Sequence, residues 1–199
     1  MERGAWLALA SLASLVVGTQ VRGALALGEP SERELKARAR DWLESGLCGS
    51  GEVYHVTSLE NLPFIQKEGL VPDAREPGFD GFEAWSKGKV FFTGGPDLPW
   101  WLHVMQHSQR RAQKEGPWVV LRLKAGATTY RRLQHDWVSE HECSFFTPQK
   151  VPVKDLELCM PSRSGYGWKR LDTASLAQLR KALVAKAPYA KLLNDLENP

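Results

Sequence analysis

The sequence predicts an α+β domain. Two observations carry that expectation. Short β-rich runs outnumber the helical stretches between them, and strands and helices do not alternate strictly, which argues against a doubly wound parallel sheet. The chain has 199 residues, 43% of them hydrophobic and 25% charged, a size and balance suited to one globular domain. Eight Trp and seven Phe supply enough apolar surface to offset chain entropy, so intrinsic disorder is excluded. No Gly-X-Y period, 20–50-residue repeat or heptad run is present, which removes collagen, solenoid and coiled-coil architectures.

Residues 1–26 form a block of their own. Glu2 and Arg3 precede an apolar run from Ala5 to Val17, and Ala24-Leu25-Ala26 gives a small-x-small end, the pattern of a secretory signal peptide cleaved after Ala26. The run of 13 residues is too short for a bilayer core, which needs about 20. A buried N-terminal helix is the alternative. The expectation is a single domain over residues 27–199, secreted or periplasmic, with no membrane span.

The first helix begins at Ser31, where Glu34 completes a capping box, and Leu35, Ala39, Trp42 and Leu43 recur at helical spacing up to Gly46. Val53–Thr57 reads as a strand and Leu59–Glu68 as a helix with Leu62 and Ile65 inward and Gly69 as its stop. Residues 72–88 read as a loop carrying Phe79, Phe82 and Trp85, either a flap or an ordinary surface loop. Lys89–Thr93 is a strand, residues 98–114 a helix, and Trp118–Leu123 a strand. Further strands are expected at Thr128–Arg131, Glu140–Phe146 and Val151–Leu158, six in all. Leu176, Leu179 and Leu183 mark a C-terminal helical segment over residues 173–197, broken at Pro188.

Charge narrows the partners. The 26 bases and 23 acids leave a net charge of +3, too small for a field that would gather nucleic acid or anionic lipid. Removing residues 1–26 takes away Glu2, Arg3 and Arg22 and does not alter that conclusion. Export would put Cys48, Cys143 and Cys159 in an oxidising compartment, where two can pair, and the sequence does not choose which. No C-x-x-C occurs.

Among residues able to carry chemistry, His55 and Thr57 share one strand face because side chains two apart point the same way. Alone, such a histidine is more often structural, held near a strand end, and the signal is weak. Glu140, Glu142 and Ser144 share a strand face opposite Cys143 and Phe145; an antiparallel edge wetted on one side would look the same. His103 and His107 share a helical face, yet no glutamate follows His103 to act as a general base, so no metal is assigned.

These residues, in order, resemble the ADP-ribosyltransferase superfamily, in its histidine/glutamate type. The resemblance lies in Tyr54-His55-x-Thr57-Ser58, Asn61-Leu62-x-x-Ile65-x-x-x-Gly69-Leu70-x-Pro72, Lys89-Val90-Phe91-Phe92-Thr93, and Glu142 with Val151-Pro152-x-x-Asp155-Leu156, spread over about residues 50–160. The first block is the most specific. The resemblance implies a split two-sheet α+β fold with flanking helices that clasps NAD as co-substrate. It implies that His55 contacts the ribose and adenylate side with help from Thr57, and that Glu142 is the catalytic acidic residue. Glu140 resembles the first of the paired glutamates of arginine-modifying members. Phe91 and Phe92 stand where one branch has a tyrosine, and Phe91, Phe92 or Trp101 would stack on the cationic nicotinamide ring. The expected activity is cleavage of nicotinamide from NAD, with transfer to an unspecified acceptor, a protein among the options, or to water. A noncatalytic ligand- or partner-binding domain of the same fold is the alternative.

Overall fold

The computed structural model describes residues 30–72, 86–111, 117–124, 126–139, 141, 143–162, 165–183 and 189–197. The expected leader, the aromatics Phe79, Phe82 and Trp85, the break at Pro188, and both Glu140 and Glu142 lie outside the described residues.

Helix α1 (Glu32–Glu44) starts on the capping box that Ser31 and Glu34 predict, with each side chain bonding the other residue's backbone. Leu35, Ala39 and Leu43 are its buried stripe. Strand β1 (Val53–Ser58) passes through a 3₁₀ turn (Leu59–Asn61) into α2 (Leu62–Glu68), whose Leu62 and Ile65 are buried. Gly69 ends α2 with φ +79°, and a Cβ there would meet the Val151 carbonyl oxygen at 2.1 Å. Only glycine fits that site. Leu70 and Val151 exchange backbone hydrogen bonds at this point.

Strand β2 (Val90–Gly94) leads into α3 (Leu98–Arg111), and β3 (Trp118–Leu123) returns through the core. Thr128–Arg131 is not a strand. The backbone closes instead into tight turns, with Tyr130 N donating to Ala127 O and Arg132 N to Thr129 O, and the chain becomes extended only at β4 (Gln134–His135). Strand β5 covers Ser144–Thr147, with Cys143 in the preceding turn. Val151–Leu158 is likewise not one strand. Pro152 removes a backbone donor, and the segment divides into the Val151 bridge, a 3₁₀ turn (Val153–Asp155) and β6 (Leu156–Ser162). A seventh strand, β7 (Gly165–Arg170), precedes α4 (Leu176–Leu183) and α5 (Ala190–Glu197).

The seven strands form one sheet in the order β4-β5-β2-β1-β3-β6-β7, with every neighbouring pair antiparallel. Helix α1 packs on β4, α3 on β1 to β3, α4 on β6 and α5 on β7. The protein is therefore α+β. Val53, Leu121, Leu123, Leu156 and Leu158 are fully buried, and their register places Val53 opposite Leu123 and Leu123 opposite Leu156. No helix among the described residues is long and apolar enough to cross a membrane.

Candidate functional site

The two central strands part company early. β1 and β3 are matched at six positions, from Val53 opposite Leu123 to Ser58 opposite Trp118. β1 and β2 are matched only at Val53 opposite Gly94 and Tyr54 opposite Thr93. The next residue of β1 is His55, so the imidazole stands at the crotch of a fork in the sheet. Its Nδ1 lies 2.8 Å from the Phe91 carbonyl oxygen. A carbonyl only accepts, so Nδ1 carries the proton, and in the neutral ring Nε2 is then the lone-pair nitrogen. The bond replaces a ladder contact that the diverging strands no longer make.

Of four residues singled out from sequence, His55, Thr57 and Phe92 share one sheet face here, and the Phe91 ring lies on the other. The His55 ring centroid is 5.9 Å from that of Phe92, and Phe92 is buried. Phe91 is half-buried and tilts against Phe146 at 6.1 Å. Thr57 points to the same strand face as His55 but is only 3% exposed, and its hydroxyl accepts from Asn61 Nδ2 at 3.2 Å. Phe92 and Thr57 thus support the fork from within, whereas His55 and Phe91 retain partial exposure.

Trp101 belongs to a second cluster, at the start of α3. Its ring meets Trp100 edge-on at 4.9 Å, and the His141 ring lies 4.0 Å from Trp100 and 6.4 Å from Trp101. His141 Nδ1 is 3.4 Å from Asp97 Oδ1, and the other carboxylate oxygen accepts from Cys143 N at 3.2 Å. Cys143 forms a disulfide with Cys48 across a Cα–Cα distance of 5.4 Å, and its carbonyl accepts from Gly94 N at 2.7 Å. This settles the pairing that sequence left open. Cys159 is the free thiol; burial pushes its pKa up to about 12, so it is not a nucleophile at neutral pH.

Sequence reasoning also missed a polar band on one face of the sheet. Register sets Arg170, Glu157, Arg122, Tyr54, Thr93 and Ser144 side by side across β7, β6, β3, β1, β2 and β5. Arg122 bonds both Glu52 and Glu157 while its guanidinium lies 4.3 Å from the Trp168 ring centroid. Tyr54 donates to Glu52 at 2.8 Å; burial first, and that bond second, hold its phenol proton far above the ordinary range. At the other end Ser144 is buried and donates to the buried Asp136 at 3.3 Å. Ser144 is therefore interior, not part of a wetted edge. Alternation within each strand was the only available signal for this band, and it gives no cross-strand register.

Compared with protein-family models, with curated proteins and with solved structures, the chain finds no match in any of the three.

Proposed function

We propose that the chain is an exported ADP-ribosyltransferase-like enzyme that takes NAD as co-substrate and cleaves its nicotinamide, acting as a transferase or as an NAD glycohydrolase. The observation that carries the reading is the fork at His55. A sheet that opens beside a half-buried imidazole, with the resemblance in the first motif falling on the same residues, supports the reading of a dinucleotide held at that opening. The described residues form a continuous seven-stranded order, so the split is read at the two-position junction between β1 and β2.

The chemistry follows from the residue types. With Nδ1 donating to Phe91 O, the His55 Nε2 lone pair is suited to receive a ribose hydroxyl proton in a hydrogen bond. The glycosidic bond to nicotinamide breaks with its electron pair leaving on the nicotinamide nitrogen, and the ribosyl carbon takes on oxocarbenium character. Glu142 is assigned the carboxylate that opposes that positive charge, with Glu140 biasing the choice of acceptor. Water or the nucleophilic group of an acceptor, a protein side chain among the options, then bonds to the ribosyl carbon and gives up a proton. Phe91 and Trp101 are half-buried aromatics, but register puts the Phe91 ring on the sheet face away from His55, which leaves Trp101 to stack on the cationic ring.

A second reading, a noncatalytic ligand- or partner-binding domain, draws on the engaged state of the same residues: Thr57 is buried on Asn61, and His55 has a structural hydrogen bond. Calorimetry with NAD separates the two for His55→Ala. Loss of one ligand hydrogen bond worth about 0.5–1.5 kcal/mol weakens NAD roughly 2- to 13-fold. Unchanged NAD affinity alongside a clear drop in melting temperature would return His55 to a structural role and remove the main support for NAD. The export part of the reading requires mature protein beginning at Leu27, which mass spectrometry of protein from its native source reports.

A further inference from the structure

We infer that His141, oriented by Asp97, is the general base that receives the proton given up when water or an acceptor attacks the ribosyl carbon; the inference rests on the proposed cleavage of NAD. Three observations meet at this imidazole. Its Nδ1 lies 3.4 Å from Asp97 Oδ1. Its Nε2 meets no hydrogen-bond partner among the described residues, and the side chain keeps 24% exposure. Its ring flanks a pair of indoles, with centroids 4.0 Å from Trp100 and 6.4 Å from Trp101.

A carboxylate oxygen only accepts, so the proton facing Asp97 sits on Nδ1 and the lone pair is left on Nε2. The carboxylate is held in place by its other oxygen, which accepts from Cys143 N at 3.2 Å. Cys143 is tied in turn by the disulfide to Cys48 and by Gly94 N, which donates to its carbonyl at 2.7 Å. Asp97 stands at the head of α3, where its own carbonyl accepts from Trp101 N at 3.2 Å. His141 is fixed on both sides of its backbone: its N–H donates to Ser139 Oγ at 3.1 Å, and its carbonyl accepts from Ser144 N at 3.2 Å. The ring is therefore oriented before any ligand arrives and open at one nitrogen. The 3.4 Å contact is longer than a good hydrogen bond, and catalytic contacts of this kind tighten in the substrate complex.

Trp101 links this pair to the proposed chemistry. A nicotinamide stacked on that indole bears the ribosyl carbon on its ring nitrogen, so the bond that breaks would lie beside the ring that His141 flanks. The electron pair of that bond leaves with nicotinamide. The oxygen of water, or the nucleophilic atom of an acceptor, bonds to the ribosyl carbon, and its proton passes to Nε2. The imidazolium so formed faces the Asp97 carboxylate and returns the proton to solvent. Asp97 touches no reacting atom and is a positioning residue.

The test uses the full mature chain with its disulfide formed. Nicotinamide release from NAD is measured for the wild type, His141→Gln and Asp97→Asn, with and without added azide, together with NAD affinity and melting temperature. His141→Gln should lower kcat about 10²-fold or more, with the KM for NAD changed no more than about twofold. In Asp97→Asn the amide oxygen keeps the bond from Cys143 N while the amide N–H donates to Nδ1, which forces the ring proton onto Nε2 and removes the lone pair. Its kcat should fall about as far at wild-type melting temperature, whereas a purely structural anchor would tolerate the change. Azide attacks without a proton to lose, so it should raise release by both variants at least about tenfold, with ADP-ribosyl azide seen by mass spectrometry, and should leave the wild-type rate unchanged. If His141→Gln fails to fold, Asp97→Asn with and without azide decides. Release within about twofold of wild type in the folded variants, or a loss that azide does not restore, would overturn the inference and leave the NAD reading standing. No nicotinamide release by the wild type would overturn the NAD reading and the role of His141 together.

Discussion

Removing the Cys48–Cys143 disulfide should cost more stability than any single side chain of the domain. The bond joins residues 95 apart in sequence, so the unfolded chain loses the freedom of a long loop. The chain-entropy relation gives about 4.7 kcal/mol at 25 °C for a loop of that length. In a domain of this size each kcal/mol moves the melting temperature about 2–4 °C, so the loss amounts to roughly 10–20 °C. The perturbation is the double variant Cys48→Ser/Cys143→Ser, which removes both thiols and leaves nothing to pair with Cys159. Little packing is lost with the sulfurs compared with the chain entropy gained, although Gly94 sits directly against both cysteines, where a Cβ would meet Cys143 Cβ at 2.8 Å and Cys48 Cβ at 3.1 Å. Urea unfolding followed by tryptophan fluorescence, on the oxidised protein and on the double variant, measures the difference. A loss below about 1 kcal/mol would show that the segment before β5 is held by Asp97 and Gly94 alone and that the loop-closure reasoning fails.

Further consequences follow from particular sites. Gly69→Ala should destabilise by at least about 2 kcal/mol, since it combines a positive φ with a clash against the Val151 carbonyl; urea midpoints check it, and a neutral result would mean that the bridge between Leu70 and Val151 shifts freely. Cys159 should resist alkylation in the folded protein and react once denaturant is added. Its folded-state pKa of about 12 lies above the ordinary value of 9.0, so the folded form keeps its proton after the unfolded form has lost it. Stability from this group is complete below pH 9 and declines as pH climbs toward 12, and buried Tyr54 and Tyr189, both shifted upward by burial, act in the same sense. Urea midpoints that rise between pH 9 and 11 would contradict that sign.

The parts of the fold legible in sequence are those set by local chemistry. The capping box of Ser31 and Glu34, the Leu62/Ile65 spacing and the β-branched run at Val119 and Val120 each declare an element within a few residues. Thr128–Arg131 misled because two threonines and a tyrosine favour extended backbone, while the turn bonds that Tyr130 N and Arg132 N donate to the Ala127 and Thr129 carbonyls decide otherwise. β7 escaped notice because Gly165 and Gly167 read as loop, although its pairing with β6 runs over six positions. Long-range facts had no sequence signature at all. The disulfide pairing, the fork beyond Tyr54 and the reach of Asp97 to residues 141 and 143 depend on how strands order themselves in space. His55 was legible as a residue of interest, but its bond to Phe91, 36 positions away, was not.

Nicotinamide release from NAD by the mature protein, compared with that of Glu142→Gln, tests the central claim most directly. The account predicts measurable release by the wild type and a loss of 10²-fold or more in the variant, with NAD affinity and melting temperature held close to wild type, as expected when an electrostatic stabiliser of the transition state is neutralised. Equal release by the two proteins, or NAD left intact by the wild type, would contradict it.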